Sequence, residues 1–110
     1  MKKLLIIAIF PCLFFLTGCF GGEDGLISDA QRDRAITSCQ NQCEAEKRYG
    51  DLADGPCLSN EIQPDWVCDI AHSPRQTIDE YSENQCSAYR SGEANHFVEL
   101  DTNCRLIRAE

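Results

Sequence analysis

Residues 28–50 read SDAQRDRAITSCQNQCEAEKRYG, and this stretch decides how the rest of the chain must be arranged. It predicts a helix over 28–49. Ser28 is suited to cap the N-terminus, with Gln31 three residues on to complete a capping box. Asp29 lies in the first turn and Lys47 and Arg48 in the last, each favourable to the helix dipole. Gly50 suits the C-terminal stop. The inward stripe is Ile36, Cys39 and Cys43, spaced three and four apart. That face is too poor in apolar surface to dock the helix by burial, so the two cysteines must do it. Helical neighbours four apart have Cβ atoms about 5–6 Å apart, whereas a disulfide needs about 3.5–4.5 Å. Cys39 and Cys43 therefore cannot bond each other, and each is expected to reach a later cysteine.

Upstream of the helix lies a different kind of segment. Lys2 and Lys3 precede an apolar run from Leu4 to Leu16, broken by Pro11, which is the layout of an export signal. A permanent span needs about 20 apolar residues, and this run is shorter. The run ends in Leu16-Thr17-Gly18-Cys19, which closely resembles the lipobox of prokaryotic lipoproteins. The resemblance covers the first nineteen residues only. It implies that residues 1–18 are a signal peptide, that Cys19 becomes the first residue of the mature protein, and that its sulfur carries a lipid. It further implies a place in the cell envelope, anchored on the non-cytoplasmic side of a membrane. By the same resemblance, Phe20 rather than Asp after the cysteine permits sorting to an outer membrane where the organism has one. Two or more acyl chains hold a protein stably where one does so marginally. Residues 19–27, with three glycines in FGGEDGLI, read as the lipidated cysteine and a short flexible tether. Residues 28–110 form the domain proper.

Loss of the signal removes both of its lysines and leaves eight basic residues against eighteen acidic, a net charge of −10. That sign argues against nucleic acid and against direct binding of anionic headgroups. It suits solubility near a negative surface, or a basic protein partner.

The large apolar residues of the domain are few: Ile36, Leu52, Leu58, Ile62, Trp66, Val67, Ile70, Ile78, Phe97, Val98, Leu100, Leu106 and Ile107. Burial at about 25 cal/mol per Å² does not easily offset the ordering entropy of such a chain. Cross-links are expected to make up the difference. With Cys12 discarded and Cys19 lipidated, Cys39, Cys43, Cys57, Cys68, Cys86 and Cys104 remain, an even set that reads as three disulfides outside the cytosol. The absence of C-x-x-C removes the usual signature of zinc sites and of thiol–disulfide oxidoreductases.

Downstream, Asp51–Asp65 reads as an irregular loop pinned by Cys57, since it holds Gly55, Pro56, Asn60 and Pro64. Residues 66–70 (WVCDI) alternate as a strand with Trp66, Cys68 and Ile70 on one face. Ser73, Pro74 and Gln76 form a second capping box that starts a short helix from about Pro74. That helix either continues to Arg90 or yields near Ser82 to a strand over 85–90, the latter being the preferred reading. Strands at 96–100 and 104–108 are joined by Asp101-Thr102-Asn103, with Asn103 expected in the left-handed conformation. The fold expected is α+β: a disulfide-rich domain in which the N-terminal helix is stapled to a small antiparallel sheet of 66–70, 85–90, 96–100 and 104–108. In a meander with 96–100 at its centre, Cys86 and Cys104 would sit two strands apart, about 9.6 Å, and could not bond. Six cysteines allow fifteen pairings; excluding those with Cys39–Cys43 or Cys86–Cys104 leaves ten.

Candidate chemistry concentrates between Asp65 and Arg75, where Trp66, Asp69, His72, Ser73 and Arg75 lie close in sequence. A Ser-His-Asp triad is defined by geometry, which near-adjacent positions do not generally supply, and no Gly-x-Ser-x-Gly elbow is present. His72 and His96 lack a metal-site spacing. Calcium-loop and phosphate-loop patterns are missing too, so no metal or cofactor is expected. Trp66, Tyr81, Tyr89 and Arg90 are residue types found at interface hot spots and equally in a thin core. With His72 and Arg75 they make up the candidate interaction surface. The functional expectation is a non-enzymatic binding or structural module with an unidentified protein partner. The alternative is an acidic inhibitor or immunity-type module that captures a basic protein, and the least favoured is a metal-binding or hydrolytic protein using His72 and His96.

Overall fold

The computed structural model describes residues 28–110. The lipobox, Cys19 and the tether lie outside the described residues. The first helix, α1, spans Asp29–Lys47 and begins with the capping box read from the sequence. Ser28 Oγ accepts from the Gln31 amide at 3.0 Å, and Gln31 Oε1 accepts from the Ser28 amide at 3.2 Å. The buried positions of α1 are Ala35, Cys39 and Cys43, each four residues from the next, with Ile36 half-buried beside them. The apolar stripe is as thin as expected, and hydrogen bonds supplement it. Gln42 Nε2 donates to the Leu58 carbonyl at 2.8 Å and Arg32 Nε to the Ala109 carbonyl at 3.0 Å, so opposite ends of the sheet are held to the helix.

After α1 come β1 (Cys57–Gln63), β2 (Trp66–Ile70), two 3-10 turns at Thr77–Glu80 and Ser82–Asn84, a short helix α2 (Ser87–Ser91), β3 (His96–Leu100) and β4 (Leu106–Ala109). The four strands form one sheet in the order β1-β2-β3-β4. The α+β class, the long helix, the disulfides and the strands at 66–70 and 96–100 agree with the sequence reading. The sheet differs in three respects. First, β2 and β3 run parallel, with Trp66 opposite His96 and Ile70 opposite Leu100, so the sheet is mixed rather than antiparallel. A parallel pair needs a crossover of a dozen or more residues, and the segment from Ala71 to Asn95 supplies it. Second, 85–90 is not a strand. That segment belongs to the crossover, where Asn60 Oδ1 accepts from the Ala88 amide at 2.8 Å and so caps α2 from a neighbouring strand. Third, Cys57–Gln63 is a strand, not a loop. It is an edge strand with two register shifts, and those bulges blur the alternation by which strands are recognised.

Smaller corrections follow. The helix expected from Pro74 is a single 3-10 turn beginning at Thr77, because Asp79 rather than Ser73 caps the segment: Asp79 Oδ2 accepts from the Gln76 amide at 2.8 Å. The last strand starts at Leu106 rather than 104, because Asp101 Oδ1 gathers the amides of Asn103 and Arg105 at 2.8 and 2.9 Å. Cys104, not Asn103, takes the left-handed conformation, with φ of 67°.

The disulfides are Cys39–Cys68, Cys43–Cys104 and Cys57–Cys86. Both helical cysteines reach later partners, as the i,i+4 geometry requires. Cys86 and Cys104 are indeed unbonded to each other, but the reason inferred for it, a meander, is not the one that applies. Cys86 sits in the crossover on one side of the sheet while Cys104 faces α1 on the other.

The sheet thereby separates two packing regions. Trp66, Cys68, Ile70, Val98 and Leu100 pack against α1 with Leu52, Cys104 and Ala109. On the opposite face Val67 and Phe97 pack with Cys86, Ala88 and Ala94 of the crossover. The start of β3 is fixed by Asp65, in the turn after β1, whose Oδ1 accepts from the Asn95 amide and side chain at 2.9 and 3.0 Å. Asp65 holds a φ of 74°, which aspartate tolerates in turns better than most residues.

Candidate functional site

On the crossover face of the sheet, the residues pointing away from α1 are Val67 and Asp69 from β2 and Phe97 and Glu99 from β3. Strand alternation puts them there: Trp66, Cys68, Ile70, Val98 and Leu100 take the other side. The crossover covers only part of this face. It leaves a pocket of about 310 Å³ lined by Val67, Asp69, Arg75, Gln85, Cys86, Tyr89, Arg90, Phe97, Glu99 and Arg108. The Cys57–Cys86 disulfide ties the pocket wall to β1.

Two carboxyls form the floor, on register-matched positions of the parallel pair, Asp69 opposite Glu99. Their environments differ sharply. Glu99 is buried, and both of its oxygens are engaged: Arg75 Nη1 donates to Oε2 at 2.7 Å and Arg108 Nε to Oε1 at 3.3 Å. Arg75 also binds Glu80 through Nε. Asp69 has no such partner; its Oδ1 is buried with no hydrogen bond. Burial pushes the Asp69 carboxyl up to about 7, and the neighbouring Glu99 charge adds to the effect. The Ile70 amide and Arg75 act in the opposite direction without cancelling it. A carboxyl pushed up toward neutrality thus sits beside one that accepts hydrogen bonds from two guanidinium groups.

The pocket wall is aromatic. Tyr89 stacks on Phe97 with centroids 5.2 Å apart, and the Arg108 guanidinium lies 5.0 Å from the Phe97 centroid. Arg90 lines the pocket from α2, and its guanidinium has no hydrogen-bond or ion-pair partner among the described residues. Three of the eight basic residues between 28 and 110 therefore converge on one pocket of an acidic domain.

Of the six residues expected to form an interaction surface, Arg75, Tyr89 and Arg90 line this pocket. Trp66 instead belongs to the core, 3% exposed and stacked on His96 at 4.9 Å. His72 pairs with Asp79, its Nδ1 3.0 Å from Oδ1. Burial alone would raise the Asp79 carboxyl, but the amides of Gln76 and His72 and the His72 ring outweigh it and hold the group below its usual range. Gly55 abuts this pair, and any side chain there would collide with Asp79. Tyr81 is exposed away from the pocket lining. His96 pairs with Asp65 at 3.5 Å, so each histidine has its own acidic partner. Among the described residues no group of three His, Cys, Asp or Glu is placed to hold a metal.

Sequence reasoning missed Phe97, Glu99 and Arg108. A signal was available for Glu99, a charge inside the apolar run His96-Phe97-Val98-Glu99-Leu100. A buried glutamate needs cationic partners, and those come from 24 residues upstream and 9 downstream. Searches against protein-family models, curated proteins and solved structures found no match to this chain.

Proposed function

We propose that this chain is a lipid-anchored protein of the cell envelope whose disulfide-bonded domain acts as a non-enzymatic binding module. In this reading Cys19 carries the anchor, and the pocket on the crossover face is the recognition site. The observation that supports it most directly is the unequal treatment of the two sheet faces. One is sealed by α1, whereas the other keeps a charged, aromatic-lined concavity open on a cross-linked frame. Small-molecule and peptide sites have this composition: apolar walls with a few convergent polar groups. Binding is favoured over catalysis by the state of the groups inside. The lining contains no serine, histidine or free thiol, both Glu99 oxygens are engaged, and Asp69 Oδ1 lies beneath the surface. The cations gathered at the pocket also favour this reading over capture of a basic protein there.

Photo-cross-linking from a benzophenone amino acid at position 85 in the pocket lining, compared with position 44 on the exposed side of α1, tests the recognition site in intact cells. An adduct from position 85 and none from 44 is expected, and the reverse pattern overturns the assignment. The anchor is tested separately, since Cys19→Ala should move the protein from the membrane fraction to the soluble one.

A further inference from the structure

The pocket's charge balance narrows the chemistry of its occupant. Arg75, Arg90 and Arg108 bring three positive charges, and Glu80 and Glu99 remove two, since they bind Arg75 and Arg108 directly. One positive charge is left over, on Arg90, and its planar fork is uncommitted. Such a fork suits a carboxylate or a phosphate held through two parallel hydrogen bonds. A dianion would exceed the spare charge and would bring its second charge toward Glu99 and Asp69. Beside Arg90 the wall is Tyr89, Phe97 and Val67, an apolar strip next to the cation. A volume of about 310 Å³ lies at the small end of ligand sites.

We infer that the pocket is a binding site for a singly charged carboxylate carried on a small apolar or aromatic body, the carboxylate seated on Arg90 and the body against Tyr89 and Phe97. The inference rests on the crossover face being the recognition face. The same chemistry is offered by a free organic acid and by the C-terminus of a peptide ending in an apolar residue.

Proton uptake follows from the geometry. Asp69 is faced by Glu99 from β3, by Arg108 from β4, by Arg90 from α2 and by Arg75 and Asp79 from the crossover, while the opposing residue on β1 is the uncharged, disulfide-bonded Cys57. When Asp69 is protonated the pocket keeps its spare positive charge; when it ionises, that charge is cancelled. Carboxylate affinity is therefore expected to fall about tenfold between pH 6 and pH 8.

Isothermal titration calorimetry of the full-length protein in detergent micelles tests this with 3-phenylpropionate and N-acetylphenylalanine as the two carboxylates. N-acetylphenylalaninamide and inorganic phosphate serve as the neutral and multiply charged comparisons. Saturable binding of at least one carboxylate is expected, and whichever binds more tightly identifies the free acid or the peptide terminus as the source. The amide should not bind, and phosphate should bind at least about tenfold more weakly. R90Q should weaken the carboxylate at least about tenfold, and D69N should abolish the pH dependence. Equal binding of phosphate or amide, or R90Q affinity equal to that of the unaltered protein, overturns the inference. If neither carboxylate binds while position 85 still cross-links in cells, the ligand class is wrong and the recognition face stands. Failure of both removes the two together.

Discussion

The two faces of the sheet are built from the same strands and solve different problems. On the α1 face, Leu100, Val98, Ile70 and Cys68 are almost completely excluded from solvent, and two disulfides join the helix to β2 and to the turn before β4. On the crossover face, residues one position away in sequence are Asp69 and Glu99, one disulfide closes the wall, and an open pocket remains. The comparison teaches that this domain concentrates its apolar residues on one side, leaving the other free to carry charge. A domain of this size can tolerate a buried glutamate and an unpartnered aspartate because its cross-links do not depend on pocket residues being apolar.

The widest separation between the faces should come from their cross-links. Replacing Cys43 and Cys104 with alanine releases a loop spanning 61 residues and should cost about 4 kcal/mol in denaturant unfolding. Replacing Cys57 and Cys86, 29 residues apart, should cost about 3.5 kcal/mol. Hydrogen exchange should then distinguish the two, with protection lost in α1 for the first variant and in α2 for the second. Retention of α1 protection without Cys43–Cys104 would show that its glutamine hydrogen bonds and Cys39–Cys68 suffice.

Packing should show the next difference. Leu100→Ala empties a fully buried site and should cost about 3 kcal/mol, whereas Phe97→Ala, half-buried at the pocket, should cost about 1.5 kcal/mol. Equal losses would mean that the crossover face is as tightly packed as its counterpart.

The last effect expected is a gain, not a loss. Folded Asp69 keeps its proton up to about pH 7, whereas the unfolded chain releases it near 3.8. The folded state thus binds more protons between these values, so this group's contribution is complete below 3.8 and is lost as pH rises toward 7. Asp69→Asn removes the penalty and should stabilise the protein at pH 8 by on the order of 2 kcal/mol, with little change at pH 3.5. Asp79 has the opposite sign, since its lowered value gives stability above the usual carboxylate range that is lost on acidification. Unfolding of D69N followed across pH tests the assignment, and no gain at pH 8 would mean that Asp69 finds a partner in solution.

The readable parts of the sequence were those governed by neighbours. Ser28 with Gln31, the spacing of Cys39 and Cys43, and the alternation of Trp66, Cys68 and Ile70 all act within one element, and all appear as expected. The unreadable parts depended on distant residues. Nothing near Ser87 indicates that Asn60 will cap α2, so 85–90 looked like a strand. Hairpins are the economical way to join short strands, which hid the parallel pairing that Asp65 secures through Asn95. The pocket was half legible. Arg75, Tyr89 and Arg90 stood out by residue type, but Glu99 and Arg108 acquire meaning only when β3 and β4 bring them to Arg75.

The docking of α1 also has a mechanical consequence. A pull applied at Ser28 can unravel the helix only as far as Cys39, where the load passes through sulfur to β2 at the middle of the sheet. The eleven residues from Ser28 to Ser38 extend by at most roughly 3.3–3.6 Å each, so they act as a short spring in series with a covalent stop. Tension beyond that point enters β2 at Cys68, between the pocket residues Val67 and Asp69, so a pull on the N-terminus bears on the central strands and not on the crossover.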